Sequence, residues 1–311
     1  SLGYDTQQRL VSDDLRTPAG ASIAKITYGY DANDNVTSKT TTGFVGQSTN
    51  TYAYDRADRL VLWNNGSAVT NYSYDKSGNR TSVGSRTFTY DQRNQLLIGD
   101  NNTFKYTARG SLQTVSNISG TYRTDTDAFG QVVRQDAAGG TQNYQYDALG
   151  RMVRDGFAYS GLDNTLAADG GARYTRDNDD DLVGVAASNT TAYAWTDLHT
   201  DVVGQFTATG TTLTGSTTYD PLGQVTGSAG MLGNLGYQSA WTDFATGRVN
   251  MWNRWYNTLS GQFDTRDSVD VDPVPDSVNA NRYAYAEDNP MTMTDPIGHW
   301  PSCGWCKKVV K

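Results

Sequence analysis

A chain of 311 residues carries 25 Lys and Arg against 33 Asp and Glu, for a formal net charge of -8, and its pI is near 4.7. That balance excludes a broad phosphate-binding surface, so nucleic acid and anionic membranes are not expected partners. Hydrophobic residues are 37% and the mean hydropathy is -0.61. The longest apolar stretches, such as Val183 to Ala187, fall far short of the ~18–20 residues of a membrane-crossing helix.

The scarce residues narrow the chemistry further. His199 and His299 are the only histidines, which removes a three-histidine metal site and confines any classical triad to one of these two. Both cysteines stand in the Cys303-Gly-Trp-Cys306 word. Its spacing is that of a metal or redox half-site, but zinc wants about four ligands and a redox pair wants a helix N-terminus in an α/β domain. The pair reads as part of a tail, and neither metal nor cofactor is expected. Ser1 opens the chain with no charged segment and apolar run behind it, so the sequence reads as a fragment or a processed piece.

Internal repetition is the strongest pattern along the chain. After a weak Tyr4-Asp5, an aromatic-x-Tyr-Asp word returns at Tyr28-Gly-Tyr30-Asp31, Tyr52-Ala-Tyr54-Asp55, Tyr72-Ser-Tyr74-Asp75, Phe88-Thr-Tyr90-Asp91 and Tyr144-Gln-Tyr146-Asp147, with weaker copies at Thr126-Asp127 and Thr218-Tyr219-Asp220. A short polar stretch follows each Asp, then a basic or amide residue and an apolar one, as in Lys76-Ser-Gly-Asn-Arg80, Ala148-Leu-Gly-Arg-Met152 and Pro221-Leu-Gly-Gln-Val225. The steps from Asp31 to Asp55, Asp75 and Asp91 are 24, 20 and 16 residues.

Aromatics two apart face one side of a strand, and Asp with Gly or Asn supplies the turn that follows. Each unit therefore predicts a β-hairpin, with Tyr, Thr and Val in the strands and no long helical periodicity. Twenty Tyr against eight Phe suit half-buried rings with hydrogen-bonded hydroxyls. One hairpin cannot bury its own face, so neighbours must continue a sheet, and the fold class is all-β with an extended, curving ribbon. The repeated words themselves are read as scaffold without chemistry.

These words resemble the YD repeats of the Rhs family. Tyr193-Ala-Trp195-Thr-Asp197-Leu-His199 is similar to a family strand and turn. Leu235-Gly-Tyr237 through Trp241-Thr-Asp243, Gly247-Arg-Val-Asn-Met-Trp-Asn-Arg254-Trp-Tyr256 and Gly261-Gln-Phe263-Asp-Thr-Arg266-Asp267 resembles the Rhs-associated core domain nearly end to end, as does Asn281-Arg-Tyr283-Ala-Tyr285 through Asn289-Pro290 to Asp295-Pro296-Ile-Gly298. The organisation read from this is repeats over 1–234, a core over 235–300 and a tail, or the stub of a following segment, over 301–311.

The resemblance implies a ribbon of antiparallel hairpins that spirals into a hollow shell, closed at one end by the core as a plug. About 230 residues of repeats would give an open or partial wall. It implies a bacterial, secreted or cell-surface polymorphic toxin, similar to the C components of insecticidal toxin complexes, whose partner is a C-terminal toxic segment of the same polypeptide. Further partners would be the rest of the shell, a secretion-system component or an immunity protein. It also implies self-cleavage just after Asp295-Pro-Ile-Gly298, in the region of Gly298, His299 and Trp300.

Two carboxylates sharing a proton can activate water against a peptide bond, one as base and the other as acid. Asp267 and Asp295 match the family's two aspartate words. Arg266 is expected beside Asp267, keeping it ionised. Asp270, Asp272, Asp276 and the weaker candidate Asp288 stay open as second carboxylates. The first word departs from Asp-Pro-x-Gly, being Asp267-Ser-Val-Asp270, and a Pro-rich insertion, Val271-Asp-Pro-Val-Pro-Asp-Ser, reads as an exposed loop. The different-class alternative is a passive surface or wall-associated adhesive repeat protein in which these aspartates are only structural, with sugar stacking on outer tyrosines as a further variant. The run Asp177-Asn-Asp-Asp-Asp181 lacks the Gly and distal Glu of a calcium loop and reads as a solvated acidic loop. Sequons such as Asn35-Val-Thr37, Asn71-Tyr-Ser73 and Asn189-Thr-Thr191 read as composition.

Overall fold

The computed structural model describes residues 1–269, 277–299 and 301–303. Its strands pair antiparallel with their neighbours in sequence. The fifteen strands from Leu2–Tyr4 to Gly140–Asn143 form one sheet in chain order, Gln145–Tyr146 pairs with Met152–Val153, and eight strands from Phe157–Tyr159 to Val225–Ala229 form a second ordered sheet. No described end strand pairs back to close a barrel, so the wall is an open ribbon. Helical structure among the described residues is three short 3₁₀ turns, all after Leu235.

The repeat unit is built around its aspartate. At Asp31, one carboxylate oxygen accepts the backbone N–H groups two and four residues on, Asn33 and Asn35, each at 2.9 Å. The same pair of bonds forms at Asp5, Asp55, Asp75, Asp91, Asp127, Asp147, Asp177, Asp197 and Asp220. The residue three after the Asp is left-handed, which is why Gly78, Gly130, Gly150 and Gly223, or Asn94 and Asp34, stand there. The acidic run at Asp177 is thus itself a repeat turn, exposed as expected. Thr126-Asp127 and Asp197-Leu-His199 make full turns as well.

The tyrosine before each aspartate ties one repeat to the last. Tyr30, Tyr54, Tyr74 and Tyr146 donate their hydroxyls to the carbonyls of Leu10, Val36, Leu60 and Val132, at 2.6 to 2.9 Å. Each acceptor is the fifth residue after the preceding Asp, the first residue of the returning strand. The first aromatic of the word, such as Tyr28, Tyr52, Tyr72 or Phe88, is buried in the interior. Where the fourth residue after the Asp is arginine, it pairs with that Asp and lies over the next tyrosine: Arg9 on Tyr30, Arg59 on Tyr74 and Arg151 on Tyr159, each 4.7 Å from the ring centre.

The ribbon doubles back on itself. Leu10, Ile26, Leu60, Leu96 and Leu112 of the first sheet share one core with Trp195, Leu198, Val203 and Leu222 of the second. Trp195 packs on Phe44 with ring centres 5.2 Å apart and donates its indole N–H to Asp13 at 2.7 Å. Lys39 meets Asp197 across the same interface.

The segment after Leu235 folds as a four-stranded sheet, Trp241–Asp243, Arg248–Met251, Arg254–Asn257 and Gln262–Phe263, around Tyr237, Met251, Tyr256, Phe263 and Tyr285. It sits on the aspartate-turn rim of the ribbon, where the fourth residue after the Asp is now an amide. Asn289 bonds Asn35, Asn281 bonds Asn79, Tyr283 bonds Gln95 and Gln224 reaches the Thr258 carbonyl. Arg80 donates to the Ser260 carbonyl on the same seam.

The turn carboxylate predicts its own test. Asp91→Ala leaves two backbone N–H groups without their acceptor, one of them on the part-buried side of the turn, and should cost about 1–3 kcal/mol in urea denaturation. Asp91→Asn keeps an acceptor oxygen and should cost less than half as much. Equal losses would mean that the charge, and not the pair of hydrogen bonds, sets the turn.

Candidate functional site

Among the described residues, Arg254 is the centre of the cluster that gathers Asp267 and Asp295. It lies in the strand Arg254–Asn257, is buried, and stacks 3.6 Å from the centre of the Phe263 ring. One terminal nitrogen meets Asp267 at 2.8 Å and Asp295 at 3.3 Å. Its Nε donates to the Gly298 carbonyl, and its other terminal nitrogen donates to the Arg282 carbonyl at 2.9 Å. Both aspartates are buried as well. Burial pulls the Arg254 guanidinium down to about 10, against the attraction of the two carboxylates, so it remains a cation at neutral pH.

The Gly298–His299 peptide bond is held from both sides. Its carbonyl faces Arg254, and its N–H donates to Asp295 Oδ1 at 2.9 Å. The His299 ring lies against Asp267, with Nδ1 at 2.7 Å from Oδ1. Burial raises the Asp295 pKa, with Arg254 opposing it. Gly298 is left-handed at φ +71, and a side chain there would strike the Met251 carbonyl at 2.7 Å, so glycine is required by both conformation and space. Beyond the bond, Ser302–Cys303 folds back antiparallel on Met293–Thr294. A cavity of about 40 Å³ adjoins the cluster, lined in part by Asp267, Arg282, Glu287, Asp295 and His299.

The expected residues sort clearly. Asp267, Asp295, Gly298 and His299 come together. Arg266 does not: its side chain is exposed, and its backbone N–H bonds the Gly110 carbonyl. Neighbours in extended chain point to opposite sides, so the residue next to Asp267 is turned away from it. The cation on Asp267 is instead Arg254. Without the Pro and Gly of the family's word, Asp267 is still fixed in place, because its N–H bonds the Arg282 carbonyl at 3.0 Å and its Oδ1 accepts the Val269 N–H at 2.9 Å. Asp288 belongs to the seam, close to the turn at Gly78, whose added Cβ would stand 3.3 Å from Oδ2. Asp270, Asp272, Asp276, Trp300 and Cys306 lie outside the described residues.

A second buried cluster joins ribbon and core. His199 Nδ1 faces Asp201 Oδ1 at 3.0 Å, while Nε2 faces the Met293 carbonyl at 3.1 Å. Both ring nitrogens meet acceptors, which only the doubly protonated ring satisfies while Asp201 is ionised. Burial pushes the imidazole pKa down, but Asp201 and Asp197 outweigh it and the net shift is upward. The cluster borders a cavity of about 260 Å³ between the two sheets, also lined by Lys39, Tyr52, Trp63, Tyr219 and Asp220.

Comparison with known proteins agrees with this architecture. The teneurin YD-shell family model matches residues 2–158. The tRNA3(Ser)-specific nuclease WapA of Bacillus spizizenii is 28% identical over 286 residues, which is 88% of this chain and 11% of that protein. Teneurin-1 of Homo sapiens is 28% identical over 156 residues, 49% of this chain and 5% of its own length. Among solved structures, TcdB2-TccC3 without its hypervariable C-terminal region superposes with a TM-score of 0.66 at 17% identity, covering 96% of this chain and 18% of that one. The Photorhabdus luminescens Tc holotoxin pore superposes with a TM-score of 0.64 at 16% identity, covering 97% and 18%. The chain thus spans about a tenth of the curated WapA relative and under a fifth of the structural ones.

The seam carries a pH signature. Burial pushes Asp288 from 3.8 up to about 7, so the folded chain keeps a proton that the unfolded chain has released, and stability must fall as pH rises through that window. His199, raised above its usual 6.5, contributes stability that is full below that value and is lost as pH climbs past its folded pKa. Urea midpoints should therefore decline from mildly acidic to mildly alkaline pH. Asp288→Asn should flatten the lower part of the decline and His199→Gln the upper part. A flat profile in the unaltered chain would contradict both assignments.

Proposed function

Because the chain belongs to the teneurin YD-shell family, and so to the Rhs/YD-repeat shell proteins, we propose that it is part of a toxin-carrying β shell that encloses a C-terminal segment and releases it by cutting its own Gly298–His299 bond. The single observation that carries the cutting step is the peptide bond itself, with its carbonyl on a buried guanidinium and its N–H on a buried carboxylate. The N–H contact is the bond that also closes the repeat turns, so what sets this turn apart is the buried guanidinium on its carbonyl beside a second buried carboxylate, Asp267. Enclosure is supported by the ribbon doubling back on a shared core and by the core seated on the turn rim.

The chemistry follows from the positions. Asp267, paired with Arg254 at 2.8 Å, is the ionised carboxylate and takes a proton from a water molecule. The water oxygen bonds to the Gly298 carbonyl carbon, and the negative charge that builds on the carbonyl oxygen is met by Arg254 Nε. Asp295, whose burial favours its protonated form, supplies a proton to the His299 nitrogen as the C–N bond breaks. The products are a Gly298 carboxylate and a His299 amine, which balances the addition of one water. Extracellular or cell-surface placement and a bacterial source accord with this role, and the enclosed toxin would decide the target.

Intact mass at neutral pH tests the reading, neutrality being essential because the Asp272-Pro and Asp295-Pro bonds are acid-labile. The unaltered chain should give products 1–298 and 299–311, and both Asp267→Asn and Asp295→Asn should stay intact. Cleavage should slow as pH rises past the elevated Asp295 pKa, where the acid is lost. A chain that stays whole under all conditions would leave the aspartates as turn and ion-pair residues of a passive scaffold or adhesive wall.

A further inference from the structure

Between Met251 and Arg254 the core hairpin turns through Trp252 and Asn253, and this turn touches the cleavage segment one residue before the bond. The Asn253 side-chain Nδ2 donates to the Ile297 carbonyl at 2.9 Å, and the Asn253 backbone N–H points to the same oxygen at 3.4 Å. Two donors from one residue therefore hold the carbonyl that precedes Gly298. Arg254, the next residue in the hairpin, holds the Gly298 carbonyl. Consecutive residues of one turn thus grip consecutive carbonyls of the segment to be cut.

The turn that presents Asn253 is unusual in its own right. Trp252 is left-handed at φ 55, a conformation that costs a bulky residue about 1–3 kcal/mol and persists where the surroundings impose it. Those surroundings are visible: Asn250 Oδ1 accepts the Trp252 N–H at 2.9 Å, and the indole N–H reaches the Leu149 carbonyl at 3.4 Å, in the repeat turn that follows Asp147. The repeat rim thus contacts the hairpin turn on one side while the turn contacts the cleavage segment on the other. Asn253 itself is exposed, so its side chain has little packing to contribute.

Resting on the self-cleavage reading above, we propose that Asn253 is a positioning residue for that reaction, fixing the Ile297 carbonyl so that the Gly298 carbonyl carbon stands in reach of Asp267 and its water. It does not touch the reacting atoms. Its effect is on registration, where misplacement by about 1 Å can cost on the order of a hundredfold in rate.

The test uses the whole chain, followed by intact mass at neutral pH. Asn253→Ala removes the side-chain donor and should slow formation of the 299–311 product by about tenfold or more. Asn253→Asp is nearly isosteric but sets a carboxylate against a carbonyl, and it should be slower than the alanine variant while its urea midpoint stays close to that of the unaltered chain. Equal rates in all three, at the same bond, would overturn the proposal. Should the unaltered chain itself not cut, the cleavage reading fails, and the clamp is read in the Asp267→Asn background by amide hydrogen exchange. There Asn253→Ala should speed exchange of the Gly298 and His299 amides, and unchanged protection would overturn the clamp independently.

Discussion

One hydrogen-bonding arrangement underlies the whole molecule: a single aspartate oxygen accepting two backbone N–H groups, two and four residues on. It closes the turn, forces a left-handed third residue and sends the fifth residue back along the next strand at a set register. The carbonyl of that fifth residue is then where the following repeat's tyrosine hydroxyl lands. Each repeat is thereby keyed to its neighbour by a polar contact at the edge of an apolar interior. Stability of this kind accumulates from nearest-neighbour terms, as in other repeat proteins.

The fourth residue after the aspartate does a different job depending on its type. Arginine turns back to its own aspartate and covers the next tyrosine, so Arg9, Arg59 and Arg151 stay within the ribbon. Asn35 and Asn79 also donate to their own aspartates, at 3.1 and 2.9 Å, but they carry no guanidinium to lay over a tyrosine, and the amides at Asn35, Asn79, Gln95 and Gln224 bond the core. The core is thus received by the same turns that build the wall. Its docking places the Trp252 turn on the Leu149 carbonyl and, through the hairpin, brings Arg254 onto the segment that ends at Gly298.

Much of this was legible in the primary structure, and the remainder was not for a physical reason. The aromatic-x-Tyr-Asp words expose the hairpins, their turns and their buried faces because those depend on residues within a few positions of one another. The alternation of basic and amide residues after the turn is equally plain in the sequence, but its meaning is set by a partner about two hundred residues away, as Asn79 with Asn281 shows. Asp267, Asp295 and Gly298 could be found by their resemblance to a known pair of words. Arg254 cannot be reached by adjacency, since it lies in the strand Arg254–Asn257 while Asp267 follows the end of that sheet, and the sequence neighbour Arg266 is turned away by alternation along extended chain. A signal is present: an arginine directly before Trp255 and Tyr256, opening a short strand that is buried throughout, is a buried cation in need of carboxylates.

The central claim is that water, directed by two aspartates and one arginine, opens the Gly298–His299 bond. Cleavage carried out in H₂¹⁸O addresses it most directly. The account predicts that the fragment ending at Gly298 carries a single ¹⁸O in its new carboxylate and that the released fragment begins with an unlabelled His299. A fragment beginning at any other residue, or a Gly298 carboxylate without the label, would contradict it.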